Sequence, residues 1–97
     1  MFERDGYDVT IHVPITFSQA VLGDDVEVPT VDGRIVQHIP EGTQSGTKFR
    51  LRGQGIQYLN GRGRGDQYVI VDVEIPKKVT RAQREALNAF EDSMKED

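Results

Sequence analysis

The sequence predicts a mainly β fold: a small two-layer β-sandwich with one short inserted helix and a C-terminal α-helix. Three observations predict it. Apolar residues recur at period two in several short runs. Clusters of Gly, Asp, Ser and Pro separate these runs, and the spacing is too tight for βαβ units. After Pro76 the apolar period changes to that of a helix.

The elements follow in order. Val9, Ile11, Val13, Ile15 and Phe17 alternate with Thr10, His12, Pro14 and Thr16, so the first strand buries one face. Pro14 has no N–H for a ladder, which places that strand at an edge or bends it there. Ser18 is positioned to cap one or two helical turns, and Gly23 to end them in the left-handed conformation. Val26 to Ile39 predicts a hairpin turning at Asp32-Gly33, with Val26 opposite Ile39, Thr30 opposite Ile35 and Glu27 opposite His38. Gly42 to Gly46 is a polar turn. In the KFRLR run, Phe49 and Leu51 point inward while Lys48, Arg50 and Arg52 point outward. Asp66 to Ile75 is expected to be the longest strand, with Val69, Val71, Val73 and Ile75 on one face and Asp72 and Glu74 on the other. Thr80 and Gln83 have the spacing of a capping box. Behind them Gln83, Ala86, Leu87, Phe90 and Met94 share one helix face, which can pack on the chain's own sandwich or serve a partner. Residues 1–78 are thus expected to form the β-sandwich and residues 79–97 the terminal helix and tail, within one structural unit.

Composition narrows the function classes. The 97 residues suffice for one core, and 36% hydrophobic with 29% charged residues is the balance of a soluble globular domain. With no cysteine, disulfides and thiolate metal sites are excluded. No apolar run approaches the roughly 20 residues of a membrane span. A net charge of −4 opposes general nucleic-acid binding, which needs a basic surface to release counterions. The local cations Arg50, Arg52, Arg62 and Arg64 remain the candidates for such a role, with Tyr58 the nearby aromatic. No nucleophile elbow is present. His12 and His38 fall on the polar parity of their strands, and His38 with Glu27 falls short of the three or four ligands a metal needs. No catalytic residue, metal or cofactor is therefore expected.

Two loops invite stronger readings and do not support them. In EGTQSGTK, Glu41 to Lys48, three residues separate the glycines and Thr precedes Lys, so the phosphate-loop pattern fails. RGQGIQYLNGRGRGDQ, Arg52 to Gln67, lacks the third glycine and the following helix of a dinucleotide fingerprint. It is too short for an arginine-glycine-rich tail, and its RGD runs directly into a strand. The expectation is a flexible glycine-rich crossing between two strands, with Asp66 fixing the start of the second.

Several segments, in order, resemble a known family. FERDGYD (Phe2 to Asp8), VPITFSQAVLGDDVEVPTVDG (Val13 to Gly33), IPEGTQSGTKFRLRGQGI (Ile39 to Ile56), GRGDQYVIVDVEIP (Gly63 to Pro76) and TRAQREALNAF (Thr80 to Phe90) resemble the second C-terminal β-domain and terminal helix of DnaJ-type J-domain chaperones. The resemblance implies a co-chaperone fragment, not an enzyme. Its β-domains would bind unfolded polypeptides and hold two subunits together, and the full-length protein would work with the chaperone DnaK in the cytoplasm. No His-Pro-Asp tripeptide or cysteine-rich zinc module is present, so stimulation of the DnaK ATPase and zinc binding are not expected of this chain. Neither nucleic acid nor membrane is an expected partner. Carried over position by position, the client groove falls on Ile11, Val13, Val26, Val28 and Val69, and the dimerisation helix on Ala86, Leu87, Phe90 and Met94. Valines stand where a better groove has larger groups, and Val26 stands where a cation would meet an acidic DnaK tail. The implied client site is weak and the tail contact absent. The alternatives are an architectural spacer without a client site and a nucleic-acid module.

Overall fold

The computed structural model describes residues 2–95; Met1, Glu96 and Asp97, the end of the predicted tail, lie outside the described residues. The elements are β1 (Glu3–Asp5), β2 (Asp8–Ile15), α1 (Phe17–Leu22), β3 (Asp24–Thr30), β4 (Gly33–Ile39), β5 (Lys48–Leu51), β6 (Gln67–Val73) and α2 (Arg81–Met94). One layer is a four-stranded sheet in the order β1-β2-β6-β5, and the other is the β3-β4 hairpin. The mainly β, two-layer architecture with an inserted and a terminal helix is the one the sequence predicts.

The alternation in β2 points Val9, Ile11 and Ile15 into the core, beside Val69 and Val71 of β6 and Leu51 of β5. Val28 and Ile39 close the core from the hairpin, and Ala20 closes it from α1. β2 and β6 run parallel, with Ile11 beside Val69 and Val13 beside Val71. β1 reaches along β2 only as far as Thr10, so Pro14 lies where the far side of β2 is an open edge and its missing N–H costs no ladder bond. Gln67 is fully buried on the inner face, and its Nε2 donates to the Pro29 carbonyl at 2.7 Å, tying the two layers together.

Several local expectations are corrected. Phe17 is not the last residue of the first strand but opens α1, where it is exposed. Thr16, not Ser18, is the cap: its Oγ1 accepts from the Gln19 N–H at 3.1 Å, while its own N–H donates to Gln19 Oε1 at 2.9 Å. This reciprocal box satisfies two otherwise orphaned N–H groups, which a cap at Ser18 could not. Gly23 does end α1 with positive φ (80°), but its ψ of 158° sends the chain directly into β3 rather than through a left-handed cap.

The hairpin register is displaced by two residues: Asp24 lies opposite Ile39, Asp25 opposite His38, Val28 opposite Ile35 and Thr30 opposite Gly33. The loop is therefore Val31-Asp32. An Asp32-Gly33 turn of the primed type would need positive φ at Asp32, and among the described residues only glycines have it. His38 Nδ1 consequently meets Asp25 Oδ1 at 2.8 Å rather than Glu27. β6 ends at Val73 and is shorter than β2; Ile75 is left exposed.

α2 is capped as expected, Gln83 N–H donating to Thr80 Oγ1 at 3.1 Å and Thr80 N–H to Gln83 Oε1 at 2.8 Å. None of its residues is buried. Its recorded aromatic contact is Phe90 edge-to-face on Phe17 of α1, with ring centroids 6.0 Å apart. The radius of gyration is 17.4 Å, against about 12–13 Å for a compact chain of this length. Thr80→Ala is expected to weaken α2 by about 1 kcal/mol. The loss would read out as faster amide exchange in the first turn of α2, with exchange in the β-sheets unchanged.

Candidate functional site

Three regions bear on function, and the first is the set of apolar groove positions. The structure brings Ile11, Val13, Val26, Val28 and Val69 together, but around the interior of the sandwich. Val28 and Val69 are fully buried and Ile11 nearly so. Val13 and Val26 are only partly buried, packed against the core cluster. The five-residue open groove is therefore corrected: three positions are core side chains, and two keep a solvent-facing surface. Both of these border unpaired backbone. Val13 lies on the open edge of β2, and among the described residues β3 pairs as a strand only with β4, its Pro29 carbonyl also accepting from Gln67 Nε2.

The second region is the terminal helix. Leu87, Phe90 and Met94 are 50%, 42% and 52% exposed, and they lie on one face by helical spacing. Phe17 and Val21 of α1 are exposed as well, one helical turn apart, and the Phe17–Phe90 contact joins the two helices. Ala86 is exposed on the same stripe. An apolar row of this size left exposed is unusual on an isolated domain.

The third region is the glycine-rich stretch 52–67, where the expectation of a flexible crossing is corrected. Gly55 N–H donates to the Gly65 carbonyl at 2.9 Å, Gly65 N–H to the Ile56 carbonyl at 3.0 Å, and Ile56 N–H to the Tyr7 carbonyl at 2.8 Å. Gly55 and Gly65 are buried, and a Cβ on Gly55 would lie 2.5 Å from the Tyr7 carbonyl oxygen. Two strands of loop backbone thus press on the β1-β2 turn with no room for side chains.

Asp66 anchors this knot, as the sequence suggests. Its Oδ2 accepts from Arg50 Nε at 2.7 Å, and Oδ1 from the Gly53 N–H at 3.0 Å. Its own N–H donates to Asp8 Oδ1 at 2.7 Å. The Gly53 N–H, joined by the Arg50 guanidinium, holds the Asp66 carboxyl below the usual carboxylate range. A depressed folded-state pKa stabilises the fold above the unfolded value of about 3.9, and that stabilisation is lost as pH falls through the folded value. Asp66→Asn is therefore expected to lower stability at neutral pH and to flatten the acid limb of the unfolding profile. An acid limb identical to wild type would show that Asp66 contributes nothing to it.

The same contacts answer the RGD and nucleic-acid readings. Asp66 is largely covered and internally bound, and Arg64 is pinned to Asp32 at the tip of the β3-β4 hairpin. Arg50 is held by Asp66, and Lys48 lies over the Tyr68 ring at 4.5 Å from its centroid. Two of the four candidate arginines are thus neutralised within the fold. His12 and His38 each bond a single aspartate: His12 to Asp72 and His38 to Asp25, both at 2.8 Å. A surface depression of about 520 Å³ lies beside His38, between Leu22, Asp24, Asp25 and Glu41. Among the described residues no three His, Asp or Glu side chains converge as a metal site.

Sequence reasoning missed three positions that hold these regions in place. Gln67 continues the Val69-Val71 alternation, and its parity alone marks it as inward. The paired glycines Gly55 and Gly65 carry a signal in their density, but the surface they press on, Tyr7, is distant in sequence.

Comparison with known proteins matches residues 1–76 to the family described as the DnaJ C terminal domain. The chain is 54% identical over 90 residues to the Chaperone protein DnaJ of Ruminiclostridium cellulolyticum, an alignment covering 93% of this chain and 24% of that protein. It is 56% identical over 90 residues to the Chaperone protein DnaJ of Clostridioides difficile, covering 93% of this chain and 23% of that protein. It is 55% identical over 89 residues to the Chaperone protein DnaJ of Listeria monocytogenes, covering 92% and 24%. The chain spans about a quarter of the length of the curated relatives it matches.

Proposed function

The chain belongs to the DnaJ C-terminal domain family, and from that premise we propose that it is part of a DnaJ-type co-chaperone that binds unfolded polypeptide and joins two copies of itself through α2. In the full-length protein it works with a DnaK-type chaperone in protein folding in the cytoplasm. No catalytic role, cofactor, nucleic acid or membrane partner is assigned to it.

The observation that carries the proposal is the uncovered face of α2. A helix with a sound capping box and an apolar row, yet no buried residue, gains little from its own sandwich. Most helical stability in proteins comes from packing an amphipathic face. A second copy supplies that packing, with Leu87, Phe90 and Met94 as anchors. The direct test is sedimentation across a wide concentration range. Reversible dimerisation is expected, and a monomer at every concentration removes the dimer role.

Client binding rests on two of the unpaired sheet edges. An extended segment adds to the edge of β2 beyond Thr10, or to β3, by main-chain hydrogen bonds, and Val13 and Val26 offer the adjacent apolar surface. Because Val28, Val69 and Ile11 are core, they support the wall of such a site rather than touch the client. Titration with an apolar peptide is expected to shift the amide resonances of Val13 and Val26, and Val13→Ser with Val26→Ser to weaken the response. No shift along either edge would leave an architectural spacer as the function.

A further inference from the structure

Asn60 is followed by Gly61 at the far tip of the loop between β5 and β6, and the geometry there is that of a reactive amide. We propose that Asn60-Gly61 is a site of spontaneous, intramolecular deamidation in the folded protein, a chemical modification that changes the charge of this loop tip.

The surroundings of Asn60 favour ring closure. Asn60 and Gly61 are both exposed, so water has access. Gly61 presents no side chain to block approach to its nitrogen, and it has positive φ (75°) in a tight turn. Asn60 Oδ1 accepts from the Arg62 N–H at 2.9 Å. That bond folds the side-chain carbonyl back over the following backbone and polarises its carbon toward attack. One feature opposes: Gly61 N–H donates to the Tyr58 carbonyl at 2.9 Å. It closes a single turn at an exposed tip, the kind of bond that opens at little cost.

The reaction needs only water. The Gly61 nitrogen forms a bond to Asn60 Cγ and gives up its proton, the Cγ–Nδ2 bond breaks, and ammonia leaves with that proton. Water then opens the cyclic imide at either carbonyl, leaving a normal aspartyl or an isoaspartyl linkage. Either product places a carboxylate beside Arg62, in the loop whose neighbour Arg64 is paired to Asp32. The isoaspartyl form also lengthens the backbone of the turn that Tyr58 and Gly63 close at 3.0 Å.

The chain contains its own reference sites. Asn88 is exposed too, but it lies within α2, where the helix must open before the ring can close. Asp32 also precedes a glycine, but it is a carboxylate held by Arg64, a poor electrophile while ionised.

The test is incubation of the folded chain at neutral and mildly alkaline pH. Peptide mapping by mass, with isoaspartyl-specific methyl transfer, follows each asparagine. Conversion is expected at Asn60 at least about tenfold faster than at Asn88, a barrier difference of about 1.4 kcal/mol. It should accelerate with pH, because the attacking nitrogen must lose its proton. Asn60→Ser keeps an oxygen for the Arg62 N–H and is expected to abolish the modification without moving the thermal transition. The proposal is overturned if Asn60 stays an amide in the folded chain and converts only in denaturant, or if Asn60 and Asn88 convert at equal rates.

Discussion

Gly65→Ala is expected to leave the chain largely unfolded at neutral pH. A Cβ at Gly65 collides with the Tyr7 carbonyl and with Asp8 Oδ1, and neither can move away cheaply. The Tyr7 carbonyl accepts from the Ile56 N–H, and Asp8 Oδ1 from the Asp66 N–H. Relieving the clash therefore breaks the bonds that close the knot, each worth about 1 kcal/mol, and exposes groups that cost about 1–3 kcal/mol when left unpaired. The sum rivals the whole stability of a small domain, about 5–15 kcal/mol. Gly53→Ala is the internal control. Gly53 has positive φ (71°) but nothing within 4 Å of an added Cβ, so only backbone strain opposes it. That strain is about 1–2 kcal/mol. Urea unfolding separates the two: a clear transition at lower midpoint for Gly53→Ala, and no folded baseline for Gly65→Ala. Equal midpoints would mean that the loop gives way and the packing at Tyr7 is not decisive.

This contrast also shows why the loop was legible in the sequence only in part. Glycine density at 52–67 announces backbone freedom, and at Gly53, Gly61 and Gly63 positive φ is what the glycines supply. At Gly55 and Gly65 the demand is space against Tyr7, a long-range contact that no local pattern encodes. The hairpin is illegible for a different reason. A shift of two residues keeps every side chain on its face, so the apolar pattern of Val26, Val28, Ile35 and Ile39 fits both registers equally. The turn conformation at Asp32 and the Asp25–His38 bond distinguish them, and neither shows as periodicity. Strand faces, by contrast, follow directly from alternation in β2, β5 and β6. The parallel β2-β6 pairing does not, because the strands are joined through α1, β3, β4 and β5. For the candidate site, period two identifies Ile11, Val28 and Val69 as apolar positions on one face. It does not say whether that face looks into the sandwich or out of it, and the second layer decides for the interior.

Leu87→Asp and Phe90→Asp are expected to abolish self-association without lowering the stability of the sandwich. Within a single chain neither side chain is buried, and Phe90 loses its edge-to-face contact with Phe17, so the unfolding free energy should change by no more than about 1 kcal/mol. Between chains the balance is different. Burying a leucine or phenylalanine side chain contributes about 1.5–3 kcal/mol. In a two-fold dimer each substitution acts twice, giving about 3–6 kcal/mol per variant, before the further cost of burying a carboxylate. A dimer of micromolar affinity would then weaken by about 10²–10⁴-fold and be monomeric at micromolar concentration. Leu59→Asp controls for added charge, because Leu59 is 93% exposed at a loop tip remote in sequence from α2. It should alter neither sedimentation nor thermal unfolding. If the α2 variants instead unfold the β-sheets, the helix is stabilising its own sandwich and its apolar face is intramolecular. If wild type and variants share one monomeric mass throughout, a second copy does not cover α2. The proposal survives only when the two measurements part company, with association lost and the sandwich unchanged.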